Sequence, residues 1–128
     1  IAYKLMKPKN TSFISGRIKS ISFALKGFFF LIKTEHSIIS QLIIAFIACL
    51  LGFYFDINTT EWMFQIFAIG LVLTAESLNT AIEAICDFIQ PNFDKKIGLI
   101  KDIAAGAVTF AAFTAIIIGA IIYLPKLY

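Results

Sequence analysis

The sequence predicts an all-α integral membrane protein: an N-terminal amphipathic surface helix followed by three transmembrane helices. Three observations carry this expectation. Of the 128 residues, 59% are apolar and only 15% are charged, more apolar surface than one soluble core of this length can bury. The apolar residues gather into three long runs separated by short polar stretches. The basic residues are unevenly placed: Lys4, Lys7, Lys9, Arg17, Lys19, Lys26 and Lys33 all precede position 34, and Lys95, Lys96 and Lys101 lie between the second and third apolar runs. By the positive-inside rule this asymmetry sets the N-terminus and the second interhelical loop inside and the C-terminus outside.

A single domain over residues 1–128 is expected, beginning with a short polar tail over residues 1–11. From about residue 12 to 34 the pattern is amphipathic. Ile14, Ile18, Ile21, Leu25, Phe28 and Ile32 recur at spacings of three and four, and Lys19, Ser22, Lys26 and Lys33 fill the other side. Such a helix lies in the membrane interface, its basic face toward anionic headgroups. The first spanning helix is expected over about 37–55. The turn Asp56-Ile57-Asn58-Thr59-Thr60-Glu61 follows, with Thr59 or Thr60 as the next helix cap. It holds no Lys or Arg and so should face outward. The second span covers about 61–89 and stops before Pro91. The third covers about 99–124, its apolar part starting near Ile103. Ala107, Ala111, Ala115 and Gly119, spaced by four, permit close helix contact in lipid. Cys49 and Cys86 fall inside apolar stretches and read as buried free thiols. No CxxC, zinc or disulfide pattern occurs, and no cleavable signal peptide is expected. The basic residues flank apolar runs rather than line a soluble fold, which argues against a nucleic-acid partner.

One constellation carries chemistry. Glu76, Asn79, Thr80, Glu83 and Asp87 project from one face of the second span at about 100° per residue. Each carboxylate would cost about 2.5–3.5 kcal/mol at the bilayer centre, so the three must face protein, water or a bound cation. Glu76 and Glu83 are two turns apart, about 10.5 Å, too far to share one ion easily. One can hold a divalent cation while the other acts on a proton. Mg²⁺ uses one or two carboxylates plus phosphate oxygens, and phosphoryl transfer otherwise needs positioning and cationic charge. Lys101 and Asp102, at the mouth of the third span, offer both, and Glu35, ending the surface helix, offers a second cation ligand. Walker A, GxGxxG and HRD motifs are absent, so any ATP site is built from membrane helices.

At these residues the sequence resembles the prokaryotic diacylglycerol kinase and undecaprenol kinase family. Glu76-Ser77-Leu78-Asn79-Thr80-Ala81-Ile82-Glu83-Ala84 with Asp87 is similar to its ExxNTAIEA…D motif, and Lys101-Asp102-Ile103-Ala104-Ala105-Gly106-Ala107-Val108 to its KDxAAGAV motif. Order, spacing and the three-span plan agree from about residue 13 to the end. The resemblance implies an ATP-dependent lipid kinase in the bacterial inner membrane, a homotrimer with active sites between protomers at the cytoplasmic face. It implies Glu76 as general base on the lipid hydroxyl, Glu83 and Glu35 as ligands of the Mg²⁺ of MgATP, and Asn79, Asp87, Lys101 and Asp102 as the nucleotide site. The chain departs from the family at Ser37, Ile39 and Gln41, where Asn, a basic residue and His are common, and at Phe23-Ala24, where an aromatic–serine pair is common. These departures bear on nucleotide contacts and lipid choice. The KDIAAGAV wording is closer to the Gram-positive type, which phosphorylates undecaprenol, than to the type that prefers diacylglycerol; both acceptors stay open.

Two other readings compete. Intramembrane carboxylates also mark ion or proton pathways, but here the polar stripe stops at Glu76 and the outer half of its helix is apolar. A non-enzymatic small membrane protein assembling through its Ala/Gly stripe gives no reason for a triple-carboxylate face opening onto a basic mouth.

Overall fold

The structure, a computed structural model, describes residues 12–128; the polar tail expected over residues 1–11 lies outside the described residues. Four α-helices follow in order: α1 (Phe13–Thr34), α2 (His36–Tyr54), α3 (Thr59–Ile89) and α4 (Lys95–Tyr123), with a short 3₁₀ turn over Leu124–Lys126. The described residues contain no strand. α2, α3 and the run Lys95–Lys126 are each long and apolar enough to cross a membrane. The chain divides into two units, one ending at His36 and one running from Ser37 to Tyr128.

In the first unit, Ser12 caps α1 by accepting a hydrogen bond from the Ser15 amide at 3.2 Å, and Lys33 in the last turn complements the negative end of the helix dipole. No residue of α1 is buried. Ile14, Ile18, Ile21, Leu25 and Phe28 all lie open. Glu35 breaks the helix in an extended conformation, its amide donating to the Leu31 carbonyl at 3.0 Å.

The second unit turns sharply after α2. Asp56 takes a left-handed conformation, φ 51°, which Asp tolerates better than most residues. The cap of α3 is Asn58, not the threonines that follow it. Its side chain accepts from the Glu61 amide at 2.9 Å, and Glu61 accepts from the Asn58 amide at 3.0 Å. This reciprocal capping box satisfies two orphan donors at once, which a lone threonine cap cannot do. α4 likewise starts at Lys95, about four residues before the expected position. The Asp94 carboxylate accepts from the amides of Lys96 and Ile97 at 2.9 and 3.1 Å, and that cap sets helix onset ahead of the apolar run.

α3 and α4 pack antiparallel along one seam. On α3 the buried and half-buried positions along the seam include Gln65, Ala68, Val72, Ala75, Asn79, Ile82 and Cys86. On α4 they include Lys101, Ala104, Val108, Ala111, Ala115, Ile118 and Ile122. The alternation of three and four is that of side chains interlocking between long helices. Register is fixed at both ends. The Tyr123 hydroxyl donates to Gln65 Oε1, and Lys101 Nζ lies 2.5 Å from Asp87 Oδ1. The interval between the two contacts is 22 residues on each helix. α2 joins at the first of these points: Gln65 Nε2 donates to the Ala48 carbonyl at 3.2 Å, and the Tyr123 hydroxyl stands 3.2 Å from the same oxygen.

At the α2–α3 turn the Trp62 ring covers Gly52. A Cβ on Gly52 would stand 2.7 and 2.8 Å from two Trp62 ring carbons and 3.1 Å from Ile57 Cδ1. Gly52→Ala therefore overpacks the turn and should cost about 1–3 kcal/mol, lowering the thermal midpoint of the solubilised protein. The emission of Trp62, the sole tryptophan, should shift with it; an unchanged midpoint and spectrum would contradict this packing.

Candidate functional site

The acidic face of α3 forms one lip of the α3–α4 seam. Taking Asn79 on the seam as the origin, Glu83, Glu76, Asp87 and Thr80 all lie within about 100° to one side at the helical angle. Asn79 is the pivot. Its Nδ2 donates to Glu83 Oε1 at 2.9 Å, while its Oδ1 is buried with no hydrogen-bond partner. Leaving such an acceptor unpaired costs about 1–3 kcal/mol, so this oxygen is suited to accept from a donor or to face a cation. Glu76 lies one turn along, half-buried, and forms no hydrogen bond or ion pair among the described residues.

At the far end of the stripe Asp87 pairs with Lys101, whose side chain sits on the seam of α4. Their side chains are 63% and 37% exposed, so the pair contributes no more than about 1 kcal/mol to stability. It works as a placed charge pair rather than as glue. Asp102, the next residue, is exposed. Five of the expected site residues, Glu76, Asn79, Glu83, Asp87 and Lys101, thus gather along one seam, with Asp102 beside it. Glu35, which follows α1 in the chain and is half-buried, belongs to the first unit.

The stripe offers hard oxygen donors: the free oxygen of Glu83, the orphaned Asn79 Oδ1, and Glu76. Among the described residues no three of His, Cys, Asp and Glu converge on one point as a closed metal cage would need. Mg²⁺ does not ask for such a cage. It keeps several waters and takes one or two carboxylates plus phosphate oxygens, and these donors fit that demand.

The node formed by Gln65, Tyr123 and the Ala48 carbonyl was not foreseen from sequence. Gln65 stands out as a polar residue in an apolar half-helix, but its partner is 58 positions away. The ion pair between Glu61 Oε2 and Lys126 Nζ at 3.2 Å is of the same kind.

The family described as prokaryotic diacylglycerol kinase matches residues 22–123. An undecaprenol kinase of Bacillus subtilis (strain 168) is 36% identical over 109 residues, covering 85% of this chain and 89% of the relative. A diacylglycerol kinase of Escherichia coli (strain K12) is 27% identical over 108 residues, 84% and 88% of the two chains. A diacylglycerol kinase of Synechocystis sp. is 41% identical over a shorter stretch of 58 residues, 44% of this chain and 33% of the relative.

The unpaired Asn79 Oδ1 gives a test of the site's cost. Asn79→Leu fills a seam position with an apolar side chain and removes the orphan, so the thermal midpoint of the ligand-free protein should stay level or rise, by the equivalent of about 1 kcal/mol. A clear fall would show that the amide holds the helices together.

Proposed function

Because the chain belongs to the prokaryotic diacylglycerol kinase family, it is a membrane lipid kinase that moves phosphate from ATP to a lipid alcohol, and we propose that the acidic stripe of α3 carries the reaction and that the acceptor is undecaprenol. The observation that carries the site is Asn79: a buried amide oxygen without a partner, beside a carboxylate held by the same side chain.

Glu76 is the general base. It has no partner among the described residues, lies farthest of the three acids from the Asp87–Lys101 end, and stands where the stripe turns from acidic to apolar. The lipid hydroxyl gives its proton to the Glu76 carboxylate as its oxygen bonds to the γ-phosphorus. The bond from that phosphorus to the bridging oxygen breaks, and ADP leaves with the electron pair. Glu83, oriented by Asn79, would be a ligand of Mg²⁺, which would neutralise charge on the nucleotide phosphates when bound; Glu35 keeps the role of a further ligand that the family motif implies. Asn79, Asp87, Lys101 and Asp102 line the nucleotide site. The Lys101 ammonium, fixed by Asp87, supplies the positive charge that a transferring phosphoryl group needs.

The placement of charge supports an orientation with the Asp87–Lys101 end in the cytoplasm, where ATP is, and with α1 on the surface of a bacterial inner membrane. Half-exposed carboxylates at membrane depth call for protein cover, and a second and third copy of the chain supply it in a homotrimer. Undecaprenol is favoured over diacylglycerol by the higher identity to the undecaprenol kinase across nearly the whole chain.

Purified protein with MgATP, offered each lipid separately, tests the acceptor. Transfer to undecaprenol should exceed transfer to diacylglycerol by at least about tenfold in kcat/KM, a difference of ~1.4 kcal/mol in transition-state binding. The reverse ranking would move the acceptor to diacylglycerol and leave the kinase reading standing.

A further inference from the structure

Two polar residues of α2, Ser37 and Gln41, take no part in the site described above. Both are half-buried, and neither makes a hydrogen bond among the described residues. Gln41 lines the cleft that α2 forms with α3 and α4, together with Ile44, Ala45 and Ala48, and Ser37 precedes it by one turn on the same helical face. Two contacts set the register of α2 against α3: Gln65 Nε2 donates to the Ala48 carbonyl, and the Trp62 ring lies over Gly52. Glu76 is eleven residues on from Gln65 and Ser37 eleven residues back from Ala48, so the two stand at one level of the antiparallel pair. Gln41 is one helical turn away from that level, about 6 Å at 1.5 Å per residue. Around α3, Glu76 falls within about 20° of Gln65, so it is turned toward α2 as Gln65 is.

Helix direction aims the two side chains at each other. A Cα–Cβ bond leans toward the N-terminus of its helix. α2 begins at the level of Glu76 and α3 begins at the opposite end, so Gln41 leans toward Glu76 and Glu76 toward Gln41. They make no hydrogen bond with each other. Gln65, the same residue type at the other end of the cleft, has its amide engaged by Tyr123 and by the Ala48 carbonyl; the Gln41 amide is open at membrane depth, at a cost in free energy that a ligand recovers. A carboxylate and an amide facing across a cleft suit a group that donates to the first and accepts from the second. A hydroxyl does both. A phosphate oxygen only accepts, and Glu76 repels it. We propose that Gln41 binds the acceptor: its Nε2 donates to the lipid hydroxyl oxygen while the hydroxyl hydrogen points at the Glu76 carboxylate. Gln41 gives up no proton; it keeps the oxygen aimed as Glu76 removes the hydrogen. The inference rests on the reading of Glu76 as the general base.

Gln41→Leu tests it, with the full-length protein in nanodiscs, MgATP, and undecaprenol and diacylglycerol offered separately. KM for the acceptor that the wild type phosphorylates should rise about tenfold, the loss of one hydrogen bond to substrate, while KM for MgATP stays at its wild-type value. The thermal midpoint of the ligand-free variant should stay level or rise, because the amide has no partner among the described residues to lose. Gln41→His keeps an N–H donor and should hold the acceptor KM within about threefold of wild type. A wild-type acceptor KM in Gln41→Leu, with Glu76→Gln inactive, would overturn the inference and leave the kinase reading standing. A raised KM for MgATP alone would overturn it by putting Gln41 on the nucleotide. A lowered midpoint with both KM values raised would overturn it by making the amide a strut between helices. Transfer at the wild-type rate by Glu76→Gln would overturn both this inference and the reading on which it rests.

Discussion

Three carboxylates on a membrane-spanning helix cannot face hydrocarbon, and the rest of the second unit is arranged around that constraint. Glu76, Glu83 and Asp87 lie along the seam with α4 rather than on the opposite face of α3, where Leu78 and Ile85 stand open. Small residues at Ala104 and Ala111, both buried, let α4 come close enough to share the seam. Lys101 sits on that seam and reaches Asp87.

The two ends of the α3–α4 pair differ in kind. At one end polar groups satisfy each other: Gln65, Tyr123 and the Ala48 carbonyl join all three spanning helices, and Glu61 both caps α3 and pairs with Lys126. At the other end polar groups are left over. Asn79 Oδ1 is buried and unpaired, and Glu76 has no partner among the described residues. A satisfied network holds helices together; an unsatisfied one is a place for a ligand. The same contrast answers the transport reading. A pathway would need polar groups continuing past Glu76, and the polar residue in that half of α3 that is buried, Gln65, is fully engaged with its neighbours.

Much of this was legible in the sequence. Helix class, the three spans and the lipid kinase family followed from apolar runs and from two motifs whose residues lie within single helices, because local spacing fixes which side chains share a face. What the sequence hid was tertiary. The Asn58 cap depended on reciprocity with Glu61, and the onset of α4 on Asp94, a charge inside an otherwise loop-like stretch. The pairing of Gln65 with Tyr123 links positions that no local pattern connects. Asn79 was legible as a polar residue on the acidic face. Its role as the orienting partner of Glu83 required knowing that it sits on the seam itself.

The central claim is that Glu76 removes the proton from the acceptor hydroxyl. Measuring nucleotide binding and phosphate transfer side by side in Glu76→Gln tests it most directly. The amide keeps the shape and loses the base, so MgATP binding and assembly should match wild type while kcat falls by about 10²–10⁴, the range of general-base catalysis. Transfer at the wild-type rate from a variant that binds MgATP normally would contradict the account.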